Sequence, residues 1–341
     1  TGSILWFENN LRAGAGFTPH VVAVGLPYSV DIHVADLDRD GDLDILIAAR
    51  DGNRISWYEN NGANPPAFVE HLVTTNALGA VSVHVGDMNG NGLLVSASEQ
   101  DNKIAIYRND GANPPTFAEV VAYQPMLPTA GLDFAKSVFA ADIDGDGDLD
   151  IAFVGEDNNE VGWLENIGGD PPTFVPHVLA RDVAHAKGVV ALDLDRDGDV
   201  DLLVASAGDN GIRWFENHGG RSPTFTEHVI TTAAMGARDV HAADLDGDGD
   251  IDVLSASRND NRTVWYPNRA TSRTALYNES TQSIIHVYRG ARHVQAADMN
   301  QDGHMDLLAI FDDQVLWFKN DGASPPGFSP NVGANIRGGR W

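Results

Sequence analysis

The sequence predicts an all-β fold, a β-propeller of four-stranded blades, from three features that share one period. An Asp-rich stretch with a central glycine recurs as "DLDRDGDLD" (36–44), "DIDGDGDLD" (142–150), "DLDRDGDVD" (193–201), "DLDGDGDID" (244–252) and the altered "DMNQDGHMD" (298–306). A shortened copy, "DMNGNG", stands at 87–92, and the six starts lie 51 to 55 residues apart. The second feature is an aromatic strand, "WYEN" at Trp57 or "WFEN" at Trp214, with counterparts at Trp6, Ile106, Trp163, Trp265 and Trp317. The third is a Gly- and Pro-rich turn leading to "FTEHVI"-like segments at Phe17, Phe68, Phe117, Phe174, Phe225 and Phe328, with a weaker copy over 283–288. Short strands in units repeating every 40 to 55 residues or so are the mark of propeller blades, each burying both faces against its neighbours.

Each unit reads as four strands in order. The first, as in "VDIHVAD", ends at the first loop Asp; the second, as in "DILIAAR", leaves the loop as a continuous apolar run, as a strand covered on both faces requires. The third puts Trp57 and Tyr58 side by side on opposite faces, and the fourth carries the "EHVI" pattern. A closed array of this kind is one domain, 1–341. There are seven third strands and seven fourth strands but only six loops, so seven blades are expected, the last shared between residues 1–22 and 328–341 and irregular. A six-bladed ring with an extra hairpin is the alternative.

Five carboxylates within nine residues repel one another unless a cation holds them. Ca²⁺ takes six to eight oxygens at about 2.3–2.6 Å, which suits a short loop of alternating acids. Asp36, Asp38 and Asp40 supply positions 1, 3 and 5, Gly41 permits the turn, Asp42 gives its carbonyl and Asp44 closes the cage. The loop is not an EF-hand, because position 12 is Ile47 and strands flank it. The same roles fall to Asp142, Asp144, Asp146, Asp148 and Asp150; to Asp193, Asp195, Asp197, Asp199 and Asp201; and to Asp244, Asp246, Asp248, Asp250 and Asp252. Asp298, Asn300, Asp302, His304 and Asp306 form a less charged fifth site. About five Ca²⁺ ions are expected, structural in role, since a metal surrounded by protein ligands has little Lewis-acid capacity to spare. The copy at Asp87 lacks three residues after its glycine and has one acid, so an empty, tightened hairpin is expected there.

The D-x-D-x-D-G-x-x-D loop between two strands, with the "WFEN" and "FTEHVI" strands, resembles FG-GAP/VCBS repeats, the units of integrin α-subunit propellers and of some fungal lectins. The resemblance spans nearly the whole chain. It implies the fold and calcium but no particular ligand, because such propellers serve adhesion, sugar binding and polysaccharide breakdown.

The net charge of −27 belongs mostly to the loops: 24 of the 49 acids lie in them, and without those the charge is about −3. This argues against a nucleic-acid partner, which calls for a basic surface. No apolar run has the length of a membrane span, and no cysteine is present. Filled calcium sites fit an extracellular, secretory or periplasmic setting. Residue 1 falls within a repeat, so the chain reads as a mature or trimmed form, and the sequons at Asn261 and Asn278 agree weakly with secretion.

The Trp residues and His20, His71, His177 and His228 repeat around the ring and read as packing. Lys136, Lys187, Arg238 and Arg292 stand six residues before the first loop Asp in four successive units. They converge at the channel mouth opposite the metals, either as an anion-binding cluster or paired with turn acids such as Asp157, Asp209 and Asp260. The longest loop on that face is 122–137, with Tyr123, and Tyr123 and His185 are the top-loop residues to watch. The turns "EQDNK", "EDNNE", "AGDNG" and "RNDNR" offer either sugar hydrogen bonds or plain turn chemistry. No nucleophile motif or isolated acid pair is present, which favours a module binding a glycan or a protein partner over its alternative, a polysaccharide lyase or hydrolase.

Overall fold

The computed structural model describes residues 2–11, 16–26, 28–86, 93–124, 135–269, 275, 277, 282–312 and 314–335. They form 26 strands and no α-helix. A hairpin, β1 (Gly2–Asn9) and β2 (Phe17–Leu26), comes first. Blade one is β3 (Ser29–Ala35), β4 (Asp44–Ala49), β5 (Arg54–Asn60) and β6 (Phe68–Thr74); blade two is β7 (Ala80–Gly86), β8 (Leu93–Ser98), β9 (Lys103–Asn109) and β10 (Phe117–Tyr123). Blade three is β11 (Ser137–Ala141), β12 (Asp150–Val154), β13 (Val161–Asn166) and β14 (Phe174–Ala180); blade four is β15 (Ala186–Leu192), β16 (Asp201–Ser206), β17 (Gly211–Asn217) and β18 (Phe225–Thr231). Blade five is β19 (Ala237–Ala243), β20 (Asp252–Ser257), β21 (Arg262–Tyr266) and β22 (Ser283–Val287); blade six is β23 (His293–Ala297), β24 (Asp306–Ile310), β25 (Gln314–Asn320) and β26 (Phe328–Asn335). Each blade is an antiparallel meander in chain order.

The expectation of seven blades is corrected to six. Phe328–Asn335 pairs with Gln314–Asn320 as the fourth strand of blade six and so cannot close a further blade with residues 1–22; residues 336–341 lie outside the described residues. The N-terminal hairpin is a two-stranded sheet of its own, as the alternative held. It wedges between blades six and one. Asn9 Nδ2 donates to Met299 O at 2.5 Å and Phe17 meets Trp317 edge-on at 6.0 Å, while Ile4 and Leu26 pack on Ile45, Ile47 and Tyr58 of blade one.

Burial on both faces explains the apolar second strands. All six residues of β16 are buried; Leu202 and Val204 enter a cluster with Trp163 of blade three, and Leu203 enters one with Val240 and Val253 of blade five. Each such side chain stabilises the fold by roughly 1.5–3 kcal/mol. Trp214 and Phe215 divide between the same two clusters.

Two further devices join the blades. The fifth residue before the first loop Asp reaches the next inner strand: Asp31 Oδ2 accepts from Val83 N at 2.9 Å, Ser82 Oγ from Val138 N at 3.3 Å and Asp239 Oδ2 from Val294 N at 3.0 Å. The residue before it is skipped by the ladder in four blades, leaving Val30, Val81, Lys187 and Arg238 in β-bulges. A bulge re-aims its side chain.

Candidate functional site

In four loops the acids converge. Asp36, Asp38 and Asp40 bring carboxylate oxygens within 4.8 Å of one another, as do Asp193, Asp195 and Asp197, then Asp244, Asp246 and Asp248; in the fourth the trio is Asp142, Asp144 and Asp150. The backbone holds them there: Gly41 N donates to Asp36 Oδ2 at 3.1 Å, Asp40 N to Asp38 Oδ1 at 3.2 Å and Asp42 N to Asp40 Oδ1 at 2.9 Å. Gly41, Gly147, Gly198, Gly249 and Gly303 all turn through positive φ, from 91° to 104°. Asp38 Oδ2 is buried with no hydrogen-bond partner, and so is Asn300 Oδ1, the position-3 atom of the loop at Asp298. A buried oxygen without a proton donor is where a cation ligand fits. The loop at Asp87 lies outside the described residues.

Position 9 also ties the loop to the backbone around it. Asp201 is fully buried; its Oδ2 accepts from Leu194 N at 2.9 Å and its Oδ1 from Asn217 N at 2.7 Å, and Asp44, Asp150 and Asp252 repeat the arrangement. Burial pushes Asp150, Asp201 and Asp252 up to about 7 and Asp44 to about 6, against the lowering pull of those N–H donors. A divalent cation would restore the ionised form.

The inner strand runs from the opposite face to each loop, so the two ends are about 20 Å apart. There Lys136 Nζ sits 3.1 Å from both Glu99 and Glu156, Lys187 pairs with Glu156, and Arg292 meets Asp312 at 2.7 Å. The partners expected from sequence are corrected: Asp209 and Asp260 pair with Arg213 and Arg262, and Asp157 lies 3.9 Å from His185. Arg238 makes no ion pair among the described residues. With Lys187, His185, Arg258 and Asn259 it lines a cavity of about 220 Å³. Tyr123 is elsewhere, its ring stacked on Phe153 at 6.2 Å, and residues 125–134 of the long loop lie outside the described residues. Asn159, Asn210 and Asn261 of the Asp/Asn turns, and Asn53 in the matching turn "RDGNR" of blade one, accept N–H bonds from His185, Gly236, Gly290 and Gly79 at 2.8–2.9 Å, which is turn chemistry.

The FG-GAP-like repeat family matches residues 36–95, 93–153, 142–204, 193–255 and 244–309. This chain belongs to that family. No curated protein matches it in sequence. Among solved structures it is similar to an Agrocybe aegerita lectin that recognises non-reducing terminal N-acetylglucosamine, at 18% identity and TM-score 0.65, covering 94% of this chain and 86% of that one. It is also similar to a Pseudomonas aeruginosa periplasmic gluconolactonase (15%, TM-score 0.63, 95% and 91% covered) and to a putative 6-phosphogluconolactonase from Bacteroides uniformis (13%, TM-score 0.67, 96% and 92%). These likenesses are of fold.

Within the FG-GAP-like repeats one third-strand position follows the charge of its loop in every blade but the fifth, where it is Pro267. Glu59, Glu165 and Glu216 of the third strands lie near Asp38, Asp144 and Asp195, whose carboxyls are raised by burial first and by the surrounding acids second. The same glutamates hold the repeated histidines: Glu59 meets His71 Nε2 at 2.6 Å, and that ring stacks on Trp57 at 4.6 Å. His20, His177 and His228 stack likewise on Trp6, Trp163 and Trp214, which fits the packing role read from their repetition. Where the loop is poor in acids the glutamate becomes a cation, Arg108 in blade two and Lys319 in blade six. Lys319 Nζ lies 3.2 Å from Asp302 Oδ2, neutralising part of the loop from within the chain. Lys319→Met is therefore expected to tighten calcium at the Asp298 loop by roughly threefold, the worth of one partly screened charge. A calcium titration giving unchanged or weaker affinity would contradict this.

Proposed function

We propose that this chain is a calcium-stabilised carbohydrate-binding propeller that works outside the cell or in a periplasmic or secretory space and holds its ligand on the face opposite the calcium loops. The observation that carries the reading is the division of each inner strand. One end leads into a converging carboxylate loop in blades one, three, four and five, whereas at the other end the cations Lys136, Lys187, Arg238 and Arg292 are paired differently from blade to blade and the cavity of His185, Lys187 and Arg238 lies beside blade four. A repeated end suits a structural ion, and a differing end suits recognition. Asp36, Asp38 and Asp40 with their counterparts would hold Ca²⁺, which neutralises the loops and ties the first strand of each blade to the second.

The sugar-binding choice is supported by the likeness to the lectin propeller. A second reading, an enzyme acting on a sugar, is supported by the likeness to the lactonase propellers. A glycan array probed with the calcium-loaded chain separates them. Retention of a defined glycan subset without product release is the expected result; release of product favours the enzyme, and an array with no retained glycan contradicts the proposal.

A further inference from the structure

At three junctions between blades the chain turns through a glycine that faces a side chain of the next blade. Gly79 (φ +65°) lies under Gln100 and Gly236 (φ +65°) under Asn259, where an added Cβ would come within 2.7 and 2.5 Å of them; Gly290 (φ +72°) faces Asp312 in the same way. Between blades three and four the pair is inverted. His185 takes the turn at φ +50°, stapled like the glycines by an Asn side chain, here Asn159 Oδ1 to His185 N at 2.9 Å. The facing residue is Gly208, where a Cβ would come within 2.7 Å of the His185 ring.

This inversion is costly in isolation. A non-glycine residue held at left-handed φ is strained by roughly 1–3 kcal/mol, and such strain gathers at functional positions. The blade-four turn is also emptied: "Ala207-Gly208" stands where blades one, two, three and five carry "Arg50-Asp51", "Glu99-Gln100", "Glu156-Asp157" and "Arg258-Asn259". The space so vacated is the cavity of about 220 Å³.

Its walls are cationic in a chain of net charge −27. Lys187 and Arg238 are the bulge residues of β15 and β19. Lys187 is paired with Glu156, which also serves Lys136, but neither Arg238 nor Arg258 has an ion-pair partner among the described residues. Burial first, then Arg258 and Arg292, hold Arg238 below the usual guanidinium range; burial likewise lowers Lys187. Glu156, Asp157 and His185 could together hold a metal ion, yet Glu156 is already committed to two lysines. The uncompensated charge is positive.

We infer that this cavity is a binding site for one oxyanion group, the carboxylate or sulfate of an acidic sugar, held by Arg238 and Arg258 with Lys187 and His185 at its sides. Two guanidinium forks match the paired oxygens of such a group. The volume is below the roughly 300–1,000 Å³ of a drug-sized pocket, so the site takes the anionic group of a ligand and leaves the rest outside. The sugar part rests on the carbohydrate reading above; the anion part does not.

Isothermal titration of the calcium-loaded chain with glucuronate, glucose and inorganic sulfate tests it. Glucuronate should bind at least about tenfold more tightly than glucose, and Arg238→Gln and Arg258→Gln should each weaken it by about tenfold or more. Sulfate binding as tightly as glucuronate would uphold the anion site while removing the sugar from it, whereas an empty glycan array would remove the carbohydrate reading and leave the anion site standing. A second variant guards against misfolding. His185→Gly with Gly208→Asn rebuilds the junction found at Gly236 and Asn259 and relieves the left-handed strain, so it should melt at or above the temperature of the parent chain and still lose about tenfold in glucuronate binding. Failure of the parent chain to bind either anion, or equal binding by the parent and all variants, overturns the inference.

Discussion

Chelating calcium is expected to lower the melting temperature of this propeller by roughly 10 °C or more. A cation that binds only the folded state adds RT ln(1 + [L]/Kd), about 2.7 kcal/mol for one independent site at a hundred times Kd. One such site is worth about 5–10 °C in a domain of 150–250 residues, and several loops act together here. The loss has a second source, because the chelated loops return to mutual repulsion. Its pH sign is opposite to that of the loaded protein. In the chelated chain Asp150, Asp201 and Asp252 titrate near 7 when folded and near the ordinary carboxylate value when unfolded. The folded state then binds more protons between about pH 4 and 7, so chelated stability falls as pH rises through that window. In the loaded chain Ca²⁺ needs the ionised carboxylates, so stability falls as pH drops. Thermal unfolding at pH 5.5 and 7.5, with and without chelator, checks both signs; equal melting temperatures in calcium and chelator would contradict the account.

The substitution with the largest expected effect on stability is Asn217→Ala. Asn217 is fully buried at the end of β17, and its Nδ2 donates to Val200 O in its own blade and to Ile143 O in the carboxylate loop of blade three, each at 2.9 Å. Its Oδ1 accepts from Gly219 N at 2.9 Å. Alanine leaves these backbone groups unpaired at about 1–3 kcal/mol apiece, so a loss of roughly 3–5 kcal/mol is expected. Asn320 repeats the bridge, to Met305 O and to Leu245 O of the preceding carboxylate loop. Urea unfolding should register the change; a loss under about 1 kcal/mol would mean that the bridge between loops is incidental.

Much of this architecture is written in the repeats. The 51- to 55-residue period, the Asp loops and the apolar second strands are local patterns, and local patterns survive in a single sequence. The Asn that ends each third strand repeats as faithfully as the Trp, and that repetition was the available signal for the bridge at Asn217. Ring closure was less legible, because a terminal half-blade reads the same whether it completes a blade or wedges beside one. The bulges at Lys187 and Arg238 leave no mark in composition, since they depend on how two strands pair. The partners of the cations were misread for a related reason: Glu99 and Glu156 precede the Asp/Asn pairs by one or two residues, and only the fold decides which acid faces the channel. The cavity itself comes from small residues, Ala207 and Gly208, at one turn of six. Missing side chains are hard to read as a site until the neighbours are placed around them.

The central claim is that the carboxylate loops hold calcium. It is tested most directly by anomalous scattering from crystals grown in calcium, with metal analysis of the same preparation. Ions are predicted at the loops beginning with Asp36, Asp142, Asp193 and Asp244, with the Asp298 loop the weakest and the Asp87 loop empty. Two or fewer ions, or a fully occupied ion at Asp87, would contradict it.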